Sequence, residues 1–113
     1  MRRMEYKVKV FDEAEKHLKR ISAYIFDELK APQAAENVMD DLEQAIISLR
    51  SMPERIPLSR DRFLKSNGLH CMVVRKYLIY FQIDEEARQV NVISVIYGKR
   101  DQVAQMEALT AKN

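Results

Sequence analysis

Basic side chains cluster at two points of this 113-residue sequence where an anion could bind. Lys99 and Arg100 follow the last of several apolar runs, and Arg75-Lys76 separates two earlier runs. Cations at the ends of strands can hold phosphate or carboxylate groups through charge-assisted hydrogen bonds. Tyr97 lies close to Lys99 and Arg100 in the sequence, where its ring could stack on a nucleic-acid base. The sequence therefore predicts a cationic rim that contacts an anionic partner.

A basic connector and one histidine each allow two interpretations. The connector carries three cations that form either an anion site or an ordinary solvated loop: Arg60, Arg62 and Lys65. His70 alternates with Leu69 and Cys71 along an apolar run, so its side chain faces away from one surface of the sheet. It is therefore either a solvated or core-edge histidine or part of a functional site.

The net charge is only +2, but its distribution along the chain is uneven. Residues 12–49 carry nine acidic and four basic side chains, whereas residues 50–76 carry two acidic and seven basic ones. Such asymmetry indicates a basic face that meets an anionic partner. The two histidines and the single cysteine are too scattered for a metal site, and we expect neither a metal nor another cofactor.

The composition is typical of one soluble domain spanning residues 1–113. Apolar residues make up 47% of the chain and charged residues 32%. No apolar run approaches the roughly 18 residues of a membrane span, so we expect no contact with a membrane. Cys71 is the lone cysteine and cannot form an internal disulfide, which favours a reducing cytoplasm.

The candidate residues lie on or beside three runs rich in β-branched, aliphatic and aromatic residues: Leu69–Val74, Tyr77–Ile83 and Val90–Tyr97. Short polar connections separate these runs, a pattern that predicts the strands of an antiparallel meander. Near the start of the chain, Val8 and Val10 alternate with lysines, which predicts a half-buried first strand.

Two amphipathic helices are predicted to cover the sheet. Apolar residues recur every three or four positions between Ala14 and Leu29, and again between Ala35 and Met52. Pro32 lies where a second helix can begin, and the short connection predicts an antiparallel helical hairpin. With a short C-terminal helix, the order is β-α-α-β-β-β-α: an α+β fold whose antiparallel sheet is packed by an N-terminal helical hairpin.

Several short motifs occur in a characteristic order within residues 4–108: Pro32-x-Ala34-Ala35, Leu49-x-x-Met52-Pro53, Lys76-Tyr77-Leu78-Ile79-Tyr80, and Val92-Ile93-Ser94-Val95 running into Gly98-Lys99-Arg100-Asp101. Together they resemble the RelE/ParE superfamily of toxins from type II toxin–antitoxin systems. The resemblance implies a bacterial growth-inhibiting toxin that a cognate antitoxin protein neutralises, with a higher-order toxin–antitoxin complex as the inhibited form.

RelE-like members cut messenger RNA in the ribosomal decoding site, a reaction that requires a general base, cations for the phosphate and a general acid. In that branch these groups come from two lysines, two arginines and a tyrosine. When the positions are carried over one at a time, the two lysine positions fall on His70 and Met72. The first arginine position falls on Leu78 and the tyrosine position on Met106. The strand-end arginine is kept as Arg100. If the protein is an endoribonuclease, His70 and Arg100 are therefore its candidate catalytic residues.

ParE-like members bind and inhibit DNA gyrase, and they too lack that set of nuclease residues. The resemblance thus favours a gyrase inhibitor over a messenger RNA interferase, with an inactive antitoxin-binding module as a third alternative. The residues expected to contact the target, gyrase or ribosome and messenger RNA, are Arg60, Arg62, Lys65, Arg75, Lys76, Tyr97 and Lys99.

Overall fold

The structure, a computed structural model, describes residues 5–98. The elements within that range are β1 (Lys7–Val10), α1 (Asp12–Ala23), a π-helical turn (Tyr24–Glu28), α2 (Pro32–Ser48), a short 3-10 turn (Pro53–Arg55), α3 (Arg62–Ser66), β2 (His70–Val74), β3 (Tyr77–Asp84) and β4 (Gln89–Tyr97). The predicted α+β class and the helical hairpin are confirmed. The predicted C-terminal helix lies outside the described residues.

The four strands found in residues 5–98 form one sheet in the order β1-β4-β3-β2. The meander of β2, β3 and β4 is antiparallel, as predicted. β1 pairs in parallel with β4, with Val8 opposite Val90 and Val10 opposite Val92. The sheet is therefore mixed and not antiparallel throughout. The direction of β1 relative to β4 depends on how the helical crossover returns the chain, which no local pattern encodes.

Apolar side chains pack on both faces of the sheet. The larger layer lies between the sheet and the helical hairpin and includes Leu18, Val38, Leu42, Ile79, Phe81 and Val92. The smaller cluster on the opposite face contains Leu64, Leu69, Leu78, Tyr80 and Ile96. Two covered faces explain why the strands consist of nearly continuous apolar runs.

α3 is an element that the sequence analysis did not predict. The Asp61 side chain accepts a hydrogen bond from the Leu64 N–H at 3.0 Å and caps this single turn. Leu64 is fully buried in the smaller cluster. Arg62 and Lys65 therefore lie on a short helix anchored to the outer face of the sheet, and not in an irregular connector.

A β-bulge interrupts the pairing of β4 with β3. Tyr80 lies opposite Ser94, but the next residue of β3, Phe81, lies opposite Val92. Ile93 is therefore an extra residue on β4. A bulge of this kind reorients the residues that follow it, and here those residues lead to the exposed end of the strand.

A buried histidine of α1 supports the bulge. The Val95 N–H donates a hydrogen bond to Nδ1 of His17 at 3.2 Å, and the Ser94 hydroxyl lies 3.2 Å from the same nitrogen. Because Nδ1 accepts from an N–H, the proton of the neutral imidazole is on Nε2, 3.8 Å from a carboxylate oxygen of Glu13. Burial lowers the pKa of His17, although Glu13 opposes this effect. The fold therefore favours the neutral ring.

Candidate binding groove

The tip of the helical hairpin has an unusual backbone. After α1 the chain widens into the π-helical turn, in which the Leu29 N–H donates to the Tyr24 carbonyl at 3.1 Å. Lys30 then takes a left-handed conformation with φ of 53°, and Pro32 opens α2. Short π-helical segments often occur at functional sites because they change the direction of side chains.

The turn exposes large apolar side chains. Tyr24 is 57% exposed, Leu29 is 55% exposed, and Phe26 between them is similarly accessible. Such a concentration of exposed apolar surface is typical of an interaction site. The sequence contained a signal for it, because the consecutive apolar residues Tyr24, Ile25 and Phe26 cannot all face the core from one helix.

An open groove of about 810 Å³ lies between this turn and one end of the sheet; we call it the hairpin groove. Helices α1 and α2 supply one wall, and the β2–β3 turn and the end of β4 supply the other. The lining residues are Arg20, Ile21, Tyr24, Ile25, Leu29, Ala34, Val38, Arg75, Lys76, Tyr77 and Tyr97. The surface is mostly apolar and has three cations.

The β2–β3 turn, which carries Arg75 and Lys76, is held in place by contacts with neighbouring elements. Arg75 has a left-handed φ of 54°, and its Nε donates to a carboxylate oxygen of Asp41 on α2 at 2.6 Å. The carbonyl of Lys76 accepts the Gly98 N–H at 2.7 Å, which ties the end of β4 to the turn. The structure thus brings together three predicted target-binding residues: Arg75, Lys76 and Tyr97.

Two tyrosines form the aromatic part of the groove. The rings of Tyr77 and Tyr97 are 5.6 Å apart between centroids and tilted by 56°. Burial, followed by the proximity of Tyr97, raises the pKa of Tyr77, so this phenol stays protonated at neutral pH. Tyr77 can therefore donate a hydrogen bond, but it is not a general base. The groove thus combines an apolar surface and aromatic rings with three cations.

His70 does not belong to this groove. It begins β2, whereas the groove lies beyond Val74 at the other end of that strand, about 13 Å along the chain at 3.3 Å per residue. Its Nδ1 lies 2.7 Å from the Ile56 carbonyl, and because a carbonyl can only accept, Nδ1 carries the proton. The ring stacks on Phe81 with centroids 5.0 Å apart. Its contacts are those of a core-edge histidine.

The remaining predicted residues are not in the groove lining either. Arg60, Arg62 and Lys65 are exposed around α3, which packs on the sheet face opposite the helical hairpin. Lys99 and Arg100 lie outside the described residues. Arg20 and Tyr24 are among the groove residues that the sequence analysis did not select.

Within residues 5–98, we base the functional interpretation on the hairpin groove. No helix in that range is long and apolar enough to cross a membrane. The same residues contain no group of three His, Cys, Asp or Glu side chains placed to hold a metal ion.

One family of known proteins matches most of the chain. A profile of the family described as ParE toxin of type II toxin-antitoxin system, parDE, matches residues 8–102. The search of curated proteins found no match.

Several solved structures share the fold. A chain of the chromosomal ParDE toxin–antitoxin system from P. aeruginosa aligns with a TM-score of 0.68 at 12% identity, over 83% of this chain and 97% of its own length. A mutant of the E. coli toxin RelE in the free state aligns with a TM-score of 0.63 at 18% identity, over 96% and 98%. The RelBE2 toxin–antitoxin complex from Mycobacterium tuberculosis contains a chain with a TM-score of 0.58 at 19% identity, over 85% and 95%. At sequence identities this low, the similarity to these structures shows only a shared fold.

Proposed function

Because the chain belongs to the ParE toxin family of type II toxin–antitoxin systems, we propose that it inhibits bacterial growth by binding DNA gyrase. A cognate antitoxin neutralises it in a higher-order complex, and the cytoplasm is the compartment in which it acts. The hairpin groove is the surface that we assign to the target.

The shape and chemistry of the hairpin groove are the observation that carries this proposal. The groove combines exposed apolar side chains, Tyr24 and Leu29, with the cations of the β2–β3 turn. A gyrase inhibitor needs a complementary surface and not an acid–base pair, because it acts by binding. Apolar anchors surrounded by cations are suited to a protein target with an acidic rim.

Two positions that carry nuclease residues in RelE-like toxins support binding over cleavage. Met72 is buried in the layer under the helical hairpin, and Leu78 is buried in the cluster on the opposite face. Neither side chain has a proton or a charge to offer to a phosphate. Both side chains contribute to the apolar core, which is consistent with a family member that keeps the scaffold without this part of the nuclease site.

Cleavage of messenger RNA is the second candidate, and one contact favours it. Since Nδ1 of His70 donates to the Ile56 carbonyl, the Nε2 of the neutral ring holds a lone pair. That nitrogen could take the proton of a 2′-hydroxyl, which is the role of a general base. In this alternative Arg100 supplies the positive charge for the phosphate.

The two candidates are separated by testing the purified chain in two reactions. We expect it to block DNA supercoiling by gyrase and to leave messenger RNA uncut on translating ribosomes. Removal of a general base typically lowers a rate by about 10² to 10⁴. Ribosome-dependent cuts that disappear in His70→Ala would therefore replace this proposal with a histidine-based interferase. A chain inactive in both assays that still binds its antitoxin would be an antitoxin-binding module.

A further inference from the structure

The two sides of the sheet differ in charge within the described part of the chain. The helical hairpin on one side, residues 12–48, contains nine acidic and four basic side chains. The four strands and residues 58–67, which include α3, contain two acidic side chains, Asp61 and Asp84. The same segments contain five cations: Lys7, Lys9, Arg60, Arg62 and Lys65. The charge asymmetry along the sequence is therefore an asymmetry between two sides of the folded protein.

The five cations lie on the sheet face away from the hairpin, which we call the outer face. Val8 and Val10 pack in the layer under the hairpin, so the alternate residues Lys7 and Lys9 project from the outer face. The other three cations lie on or just before α3, which the buried Leu64 anchors to that face. All five side chains are exposed. A large ligand can therefore reach them from one side of the protein.

The cations of the outer face have no carboxylate partner. No ion pair among residues 5–98 involves any of the five, whereas three other arginines in that range do contact carboxylates. Asp61 and Asp84 each accept a backbone N–H instead, at 3.0 and 3.1 Å. Because cations grouped on one face attract negative charge, the outer face is suited to a polyanion.

A row of polar side chains crosses the outer face between the cations of β1 and those of α3. Lys9 lies opposite Asn91, and Asn91 lies opposite Gln82. With about 4.8 Å between neighbouring strands, this polar row is roughly 10 Å long. The Gln82 Nε2 donates to the Asn67 carbonyl at 2.8 Å, where α3 ends, and the Asn91 Oδ1 accepts from the Gln89 Nε2 at 2.6 Å. The Asn91 Nδ2 and the Gln82 Oε1 make no hydrogen bond within residues 5–98, so the polar row offers a donor and an acceptor.

The exposed groups of the polar row favour duplex DNA among polyanions. A protein partner would need apolar anchors at the centre of its contact, but the row is polar. A single nucleic-acid strand would need exposed rings on which its bases stack, and Tyr80, the aromatic residue that β3 directs to the outer face, is 1% exposed. The bases of a duplex are already stacked, and its closely spaced phosphates suit cations on both sides of a polar row.

We propose that the outer face binds duplex DNA without sequence preference. The cations of β1 and α3 contact phosphates on the two sides of one groove, and the amides of Asn91 and Gln82 lie against the groove between them. Phosphate contacts of this kind position a protein on DNA but carry no sequence information. None of the five cations lines the hairpin groove, so the protein can contact gyrase and the DNA held by gyrase at the same time. The DNA binding is a property of the chain alone and does not depend on gyrase being the target.

The test measures binding of the full chain to a fluorescently labelled 16-base-pair duplex by anisotropy, without gyrase. If each of the five cations neutralises one phosphate, log K should fall with log salt concentration at a slope of about −4.5, because about 0.9 counterion is released per contact. The affinity should therefore fall about 500-fold between 25 and 100 mM NaCl. A chain without measurable affinity for the duplex at 25 mM NaCl would overturn the proposal, whether or not that chain inhibits gyrase.

Two pairs of substitutions test whether both groups of cations contact the DNA. Lys7→Gln with Lys9→Gln changes the β1 side, and Arg60→Gln with Arg62→Gln changes the α3 side. Each pair should reduce the salt slope to about −2.7, because two of the five phosphate contacts are lost. A slope that stays at the wild-type value in both variants would exclude the outer face as the binding site. If one variant fails to fold, the other still decides.

A matched control and an assay on the wild-type chain complete the test. Lys16→Gln with Lys19→Gln removes the same charge from the exposed surface of α1 and should leave the slope unchanged. An equal loss in this control would mean that only net charge matters, which contradicts the proposal. In NMR titrations of the labelled wild-type chain, added duplex should shift the amide signals of Lys9, Gln82 and Asn91. Shifts confined to the helical hairpin would place the DNA on the wrong side.

Two other polyanions separate duplex DNA from the alternatives. A single strand with the same number of phosphates should bind more weakly than the duplex, since the polar row has no exposed ring for its bases. Poly-L-glutamate of equal charge should compete about tenfold less well, because fewer counterions are released from a chain of lower charge density. Tighter binding of the single strand would make the outer face a single-strand site, and equal competition by poly-L-glutamate would make it a surface for an acidic protein. Either result would refute the proposal.

Discussion

The backbone N–H of Val95 donates a hydrogen bond to Nδ1 of His17 across the interface between β4 and α1, over 3.2 Å. Both residues are buried. The bulge at Ile93 directs this part of β4 toward the helix, where the imidazole receives the N–H. The contact thereby holds the end of β4 against α1, and that end leads to Tyr97 in the hairpin groove.

Loss of this acceptor should destabilise the fold. We expect His17→Ala to lower the free energy of unfolding by about 1–3 kcal/mol, because a buried N–H is left without a partner. His17→Asn should lose less, since its carbonyl oxygen can lie near the position of Nδ1. Urea unfolding at pH 8 measures both variants. Equal midpoints for wild type and His17→Ala would show that the contact contributes nothing.

The same contact predicts a pH dependence of stability. Burial lowers the pKa of His17 in the folded state from its ordinary value of 6.5, so between the two pKa values the unfolded chain binds more protons. Stability from this group is therefore complete above about pH 6.5 and is lost as the pH falls through the folded-state pKa. Urea midpoints between pH 8 and pH 5 should decline less in His17→Asn than in wild type. Parallel declines would contradict the assignment.

The cations of the β2–β3 turn should contribute to target binding and little to folding. Arg75→Gln with Lys76→Gln removes charge-assisted bonds worth about 1.5–3 kcal/mol each, so inhibition of gyrase should weaken at least tenfold. The Arg75–Asp41 pair is exposed, and stability should change by less than about 1 kcal/mol. Lys16→Gln with Lys19→Gln on α1 is the matched control. Full inhibition by the turn variant would remove these cations from the site.

The apolar side chains of the hairpin groove should contribute to target binding as the cations do. Tyr24→Ser removes an exposed aromatic side chain that lines the groove, so we expect weaker gyrase inhibition with an almost unchanged thermal midpoint. Phe63→Ser on α3 is a suitable comparison, because Phe63 is also exposed, at 39%, but does not line the groove. The assay is supercoiling inhibition over a range of toxin concentrations. Equal losses in both variants would indicate a nonspecific effect.

Arg100 lies outside the described residues, so its role in toxicity is a prediction from the sequence alone. Expression of the chain without its antitoxin should stop bacterial growth, and Arg100→Ala should relieve the arrest by removing charge-assisted contacts with phosphate or carboxylate. Growth curves and soluble protein levels are measured together, with Lys19→Ala on the exposed surface of α1 as the comparison. A soluble Arg100→Ala chain that arrests growth fully would exclude a role of this side chain in toxicity.

Local patterns predicted the helices and strands well, because their periods depend on neighbouring residues. The alternation of Val8 and Val10 with lysines marked β1, and the apolar spacing around Pro32 marked the hairpin. α3 was missed because a single turn is too short to show a period, and its cap at Asp61 is recognisable only beside a known helix. The parallel pairing of β1 with β4 was missed for a different reason, since it joins residues about 80 positions apart.

The sequence by itself determined the α+β order, the two helical apolar faces and the cationic character of the β2–β3 turn. Only the tertiary structure decided which of these residues meet. Strand pairing placed Arg75, Lys76 and Tyr97 around one groove, whereas the Ile56 carbonyl and the Phe81 ring held His70 at the core edge. The type of each side chain can be read from its own position in the sequence. Which side chains line a groove depends instead on how the chain folds to bury the apolar residues on both faces of the sheet.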